Sequence, residues 1–139
     1  MAPIYTDSPL PLIHTPKLQP GKDDPFAIES SRMALSHNAF IRGFNSIYQQ
    51  APRLELASDK SSFVGYCLAW VDCIATHHHY VETELFPNID TAAGQKGLID
   101  GAVHEHEAFY GGMGRMQEHL QSKGPGFSST ELLAIMDFF

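Results

Sequence analysis

The sequence predicts an all-α protein, an up-down four-helix bundle whose fourth helix is truncated. Three observations predict it. Apolar residues recur at helical spacing through three long segments, proline- and glycine-rich breakers separate those segments, and a capping signature opens a short fourth one.

The first helix is expected from Asp24-Pro25, a cap followed by proline at the first helical position, to about Gln50, with Pro52 ending it. The second starts at Ser58 or Asp59 and runs to Phe86, where Pro87 is expected to stop it. The third covers roughly Leu98 to Ser122, between the Gly94 to Gly97 breaker and Lys123-Gly124-Pro125-Gly126. Ser128-Ser129-Thr130-Glu131 is a capping box that opens the fourth, which reaches Phe139 after two turns. That last segment, ELLAIMDFF, has no polar terminus and no glycine cap, the expectation for a fragment. Five of the nine prolines fall in the first 20 residues, so residues 1–23 are expected to be a proline-rich, disordered or extended arm and 24–139 the helical domain.

Length and composition narrow the function. The 139 residues suit one domain, and 43% apolar content supplies a modest core. A net charge of −7 excludes the phosphate-neutralising surface of a nucleic-acid binder. No stretch approaches a membrane span, and the N-terminus lacks the charged start and apolar run of a secretory signal. Cys67 and Cys73, both inside one expected helix, do not make a disulfide framework, so a reducing, cytoplasmic setting is expected.

The stretch CIATHHHYVETELFP, residues 73–87, concentrates ionisable chemistry in a helix that is otherwise apolar on one face. At 100 degrees per residue, the second helix aligns Phe63, Cys67, Trp70, Ile74, His78, Val81, Glu82 and Leu85. The first aligns Met33, His37, Phe40, Ile41, Phe44, Ile47 and Tyr48; the third aligns Ile99, Ala102, Val103, His106, Phe109, Tyr110, Met113, Met116 and Leu120. His37, His78 and His106 each interrupt an apolar stripe, and Glu82 follows His78 by one turn. One core histidine is unremarkable, but a carboxylate on a core face needs a cation or a dense set of hydrogen bonds. A metal is one partner for all four groups. In an alternating bundle the four fall within about 15 Å along its axis. His77 and His79 lie about 100 degrees to either side of His78, and His104 about 200 degrees from His106, so these are expected at the boundary or in solvent. His14 belongs to the arm, and His119 lies near a helix end, where a cation is favourable.

Two motifs fail. HExxH would need histidine at 108, where Ala108 stands, and the Glu-x-x-His pairs of ferritin-like di-iron bundles are absent.

SHNAFIRGFNSIYQQAP (36–52), HHHYVETELFP (77–87) and EHEAFYGGM (105–113) resemble, in this order, the three successive helices of hemerythrin-like, HHE cation-binding domains, particularly fungal ones. The resemblance covers about residues 30–139 and implies a four-helix bundle binding non-haem iron, usually a di-iron pair bridged by oxygen and carboxylate. By motif it implies His37, the pair His78 and Glu82, and His106 as metal ligands. Where many relatives have a further histidine, this chain has Tyr110, a possible ligand as a phenolate or a core tyrosine donating a hydrogen bond. The family's fourth-helix histidine and carboxylate are not in this sequence. Three histidines and one glutamate suffice for one metal and are thin for two. Imidazole suits zinc, copper and iron alike, so iron follows from the resemblance rather than from ligand chemistry. The leading expectation is an iron domain handling or sensing oxygen, iron or redox state, more a binding protein than an enzyme. The alternatives are a metal-depleted helical interaction module and a mononuclear non-haem iron enzyme. An incomplete bundle is also expected to self-associate through its uncovered apolar face.

Overall fold

The structure, a computed structural model, describes residues 7–16, 21 and 24–139. The chain is all-α, with no strand among the described residues. It forms two compact units, Met1–Gln50 and Ala51–Phe139.

The first unit is helix α1, Pro25–Gln50, with the arm laid on it. The cap read from Asp24 is present: its Oδ1 accepts from the Ala27 N–H at 3.0 Å, satisfying one of the donors that a helix start leaves open. The buried positions are Ala27, Ser31, Ala34, Asn38, Gly43, Phe44, Asn45 and Ile47. Of the apolar stripe read from the sequence, Phe44 and Ile47 are buried, whereas Met33, His37, Phe40, Ile41 and Tyr48 are half-buried. The difference has a physical cause. Asn38 and Asn45 lie on a face that reads as polar, and the arm covers that face by hydrogen-bonding to both amides. Residues 8 and 11–15 of the arm carry no regular structure, in keeping with their prolines; the rest of segment 1–23 lies outside the described residues, apart from Asp7, Pro9, Leu10, Pro16 and Gly21.

The second unit begins with a short 3₁₀ turn, Ala51–Arg53, and helix α2, Ala57–Tyr80. No side chain caps α2: Leu56 occupies the capping position, two residues before Ser58 and three before Asp59, the expected starts. The expected stop at Pro87 does not occur. The helix instead widens into a π turn, Val81–Leu85, and resumes as α3, Phe86–Ala93. Proline normally breaks a helix interior because it has no N–H and its ring meets the carbonyl four residues back. Here the preceding turn is already wound i→i+5, with the Phe86 N–H bonded to the Val81 carbonyl, and that wider turn accommodates Pro87.

The chain stops being helical at Gly94, whose left-handed φ of 65° closes α3 with bonds to the Asp90 and Thr91 carbonyls. The Asp90 carboxylate then accepts from the N–H groups of Gly97 at 2.6 Å and Leu98 at 3.1 Å. This ties the connection and fixes where α4, Asp100–Lys123, begins. Helix α5, Ser129–Met136, opens on the capping signature read from the sequence, Ser128 Oγ accepting from the Glu131 N–H at 3.2 Å.

The core of this unit is the α2 face of Phe63, Cys67, Trp70, Val71, Ile74, His78 and Val81 against Met113, Met116 and Leu120 of α4, with Phe127, Leu132 and Met136 completing it. Phe63 stacks on Phe127 with ring centroids 5.5 Å apart. Truncating a wholly buried side chain such as Leu132 to alanine would cost about 2–5 kcal/mol. The α2 stripe from the sequence is therefore the observed core face, and α4 buries its C-terminal half more deeply than its N-terminal half.

Candidate metal centre

The N-terminal half of α4 is only half-buried because it faces polar partners. His106 Nδ1 lies 2.8 Å from Glu82 Oε1, bridging α4 to the π turn. An ionised carboxylate can only accept, so the imidazole nitrogen donates, and His106 Nε2 is left as the nitrogen carrying a lone pair in the neutral ring. Side-chain exposures of 13% for His106 and 25% for Glu82 show that this pair is largely withdrawn from water.

The His78 ring stacks on the His106 ring, centroids 3.8 Å apart and planes 8° from parallel. His78 is buried, and its position follows from the α2 stripe it shares with Ile74 and Val81. Tyr110, one turn after His106, donates its hydroxyl to the same Glu82 Oε1 at 3.3 Å and meets His78 edge-on at 5.5 Å. Loss of water around the phenol, reinforced by the charge and hydrogen bond of Glu82, raises the Tyr110 pKa above its ordinary value. The tyrosine is thus held as a neutral donor. Phe86 and Phe109 line the cluster, 6.0 Å from the His106 ring and 6.1 Å from the His78 ring.

Of the residues singled out by sequence, the fold brings together His78, Glu82, His106 and Tyr110. His37 lies on α1 in the first unit, half-buried, its ring 6.3 Å from that of Phe40. His77 is half-buried and His79 exposed. His104 is exposed and pairs with Glu107 at 3.5 Å. His119, read as a helix-end cation, is instead withdrawn, its side chain 9% exposed, with Nδ1 3.4 Å from Glu131 Oε2. Its burial comes from α5 crossing that end of α4, a tertiary contact with no periodic signal in α4 itself.

The donors fit a transition metal in kind: two imidazoles and a carboxylate, desolvated, with an aromatic wall. Their present arrangement is not a chelate. Two nearly parallel stacked rings cannot both aim a nitrogen at one point, and among the described residues no three His, Cys, Asp or Glu side chains are disposed around a common metal position. For both imidazoles to meet one metal ion, one ring would have to rotate about its side-chain torsions.

A cleft of about 590 Å³ opens beside the cluster. Glu82 forms part of its wall, with Phe86, Pro87, Ile99 and Val103 as apolar lining and Lys96 and Asp100 among the polar groups. Its lining comes from the π turn, α3, the 94–99 connection and the start of α4, a combination that no single-helix period contains.

The hemerythrin HHE cation-binding domain model matches residues 30–139. The chain is also 31% identical over 104 residues to dimeric xanthone biosynthesis cluster protein R11 of Cryptosporiopsis sp. (strain 8999). That match covers 74% of this chain and 40% of the relative's length. No solved structure gives a significant match. Among the described residues, no helix is long and apolar enough to cross a membrane.

Proposed function

We propose, from the premise that this chain belongs to the hemerythrin HHE cation-binding domain family, that it binds non-haem iron through His78, Glu82 and His106. The observation that carries the reading is the contact of these three donors in one desolvated cluster on α2, the π turn and α4. His37 enters the proposal through its SHNAF motif alone. Iron held there would supply open coordination positions for dioxygen or another small ligand. A pair of irons, as in the family, needs more donors than this cluster contains. Within the chain's own residues, Glu82 orients His106 by accepting its Nδ1–H, Tyr110 donates to the same carboxylate oxygen, and Phe86 and Phe109 limit access by water.

The test is iron per folded chain in His37→Ala, His78→Ala, Glu82→Ala and His106→Ala proteins. Retention of full iron in all four sinks the assignment. His77→Ala and His104→Ala should keep most of the metal, since both side chains lie outside the cluster. Tyr110 is proposed as a donor to Glu82 rather than a ligand. A visible phenolate-to-iron band that Tyr110→Phe abolishes would overturn that role.

The cleft favours a second reading, a mononuclear iron enzyme acting on an organic molecule. Its volume of about 590 Å³ far exceeds what dioxygen needs and falls in the range of small-molecule pockets. The name of the similar protein R11 places that protein in a biosynthetic cluster. Val103→Trp would narrow the cleft at its wall. Unchanged consumption of dioxygen by the iron-loaded variant in the presence of candidate organic substrates speaks for the binding protein, and loss of it for the enzyme.

A further inference from the structure

The face of α1 that carries Asn38 and Asn45 has a task the metal cluster does not explain. Asn45 Oδ1 accepts from the Leu10 N–H at 2.9 Å while its Nδ2 donates to the Leu10 carbonyl at 2.8 Å. One segment further along, Asn38 Oδ1 accepts from the Ile13 N–H at 2.6 Å while its Nδ2 donates to the Ile13 carbonyl at 2.8 Å. Each side-chain amide therefore reads one whole residue of backbone, donor and acceptor together. Gln49 Nε2 adds a bond to the Ser8 carbonyl at 2.5 Å, running in the same antiparallel sense.

The spacing is matched. Asn38 and Asn45 are seven residues apart on a helix, a rise of about 10.5 Å. The two residues they read are three apart, a separation that an extended stretch of chain covers at about 3.5 Å per residue. The prolines agree with this register. Within residues 7–16 they stand at 9, 11 and 16 and are absent from 10 and 13, where an N–H is required. Side chains contribute little to the recognition, since Leu10 and Ile13 remain 38% and 44% exposed.

Asn38 and Asn45 are themselves 8% and 3% exposed. That burial is produced by the arm, which withdraws both amides from water while satisfying the donor and the acceptor of each.

We infer that Asn38 and Asn45 form a backbone-reading clamp for an extended, proline-punctuated peptide, loaded in the folded chain with its own residues 8–13. The specificity rule is positional: any residue but proline at the two clamped positions, three apart, with proline tolerated next to them. The clamp binds such a segment in trans when the resident one is disabled.

The full chain carrying L10P and I13P loses both clamped N–H donors while its helices are untouched, so its circular dichroism should match wild type. A fluorescent peptide of residues 7–16 should bind this variant about 100-fold or more tighter than wild type, where the tethered arm competes at an effective concentration near millimolar. Adding N38A and N45A should abolish binding, and a peptide with proline at both clamped positions should bind neither chain. In the otherwise wild-type chain, N38A with N45A should speed hydrogen exchange at the Leu10 and Ile13 amides at least about tenfold, a readout independent of the proline variant. Equal peptide affinity for wild type and the L10P/I13P chain, binding of the doubly prolyl peptide, or unchanged exchange in the asparagine variant would each overturn the clamp.

Discussion

His106 donates its Nδ1–H to Glu82 Oε1 across 2.8 Å, and that one bond joins α4 to a π turn in the middle of a continuous helical run. It orients the imidazole so that Nε2 is the nitrogen with a free lone pair. Glu82→Gln keeps an oxygen acceptor but removes the charge that favours a bound cation. Iron affinity, measured by competition with a chelator, should fall about 10- to 100-fold with little loss of helicity. Unchanged affinity would mean that Glu82 has no part in holding the metal.

The two cysteines should differ sharply in reactivity. Cys67 is wholly buried on the α2 core face, and that burial pushes its thiol pKa up to about 12. Cys73 is exposed. The protonated form of Cys67 persists through neutral and mildly alkaline pH and gives way to thiolate only as pH approaches the raised value. A disulfide reagent at pH 8 should therefore titrate one thiol per native chain and two in guanidinium. Two fast thiols in the native chain would contradict the buried position of Cys67.

Gly112 matters for space rather than for backbone freedom. A Cβ there would run into the Phe139 ring, which packs 4.9 Å from Phe109 and stacks on Trp70 at 6.2 Å. Alanine would improve helix propensity by about 1 kcal/mol, and overpacking would cost about 1–3 kcal/mol. Gly112→Ala should thus destabilise by about 1 kcal/mol and change Trp70 fluorescence as Phe139 is displaced. A stabilised variant with unaltered emission would show that the ring moves aside without cost.

His119 has a buried Nε2 with no hydrogen-bond partner among the described residues, and its contact to Glu131 involves a carboxylate 64% exposed. An unsatisfied buried polar atom costs about 1–3 kcal/mol, while such an exposed pair contributes at most about 1 kcal/mol. His119→Leu should raise stability by about 1 kcal/mol in urea denaturation. A loss of similar size would indicate a buried partner for Nε2.

What the sequence determined is what short-range periodicity and local chemistry can carry. Proline at 25 after Asp24, glycine at 94 and the Ser128–Glu131 pair set helix ends through bonds made within a few residues, and the α2 stripe from Phe63 to Val81 is the core face because one helical period governs both pattern and packing. The same stripe placed His78 and Glu82 on the side of the helix that His106 meets. The tertiary structure decided the rest. It carried the helix through Pro87, because a π turn upstream had already given up the bond that proline cannot make. It buried Asn38 and Asn45, whose amides a distant segment of backbone satisfies, and it withdrew His119 beside α5. It stacked His78 on His106 instead of aiming both at one point. Each of these outcomes depends on a partner distant in sequence or on a turn wound differently from its neighbours, and a periodicity confined to one helix contains no term for either.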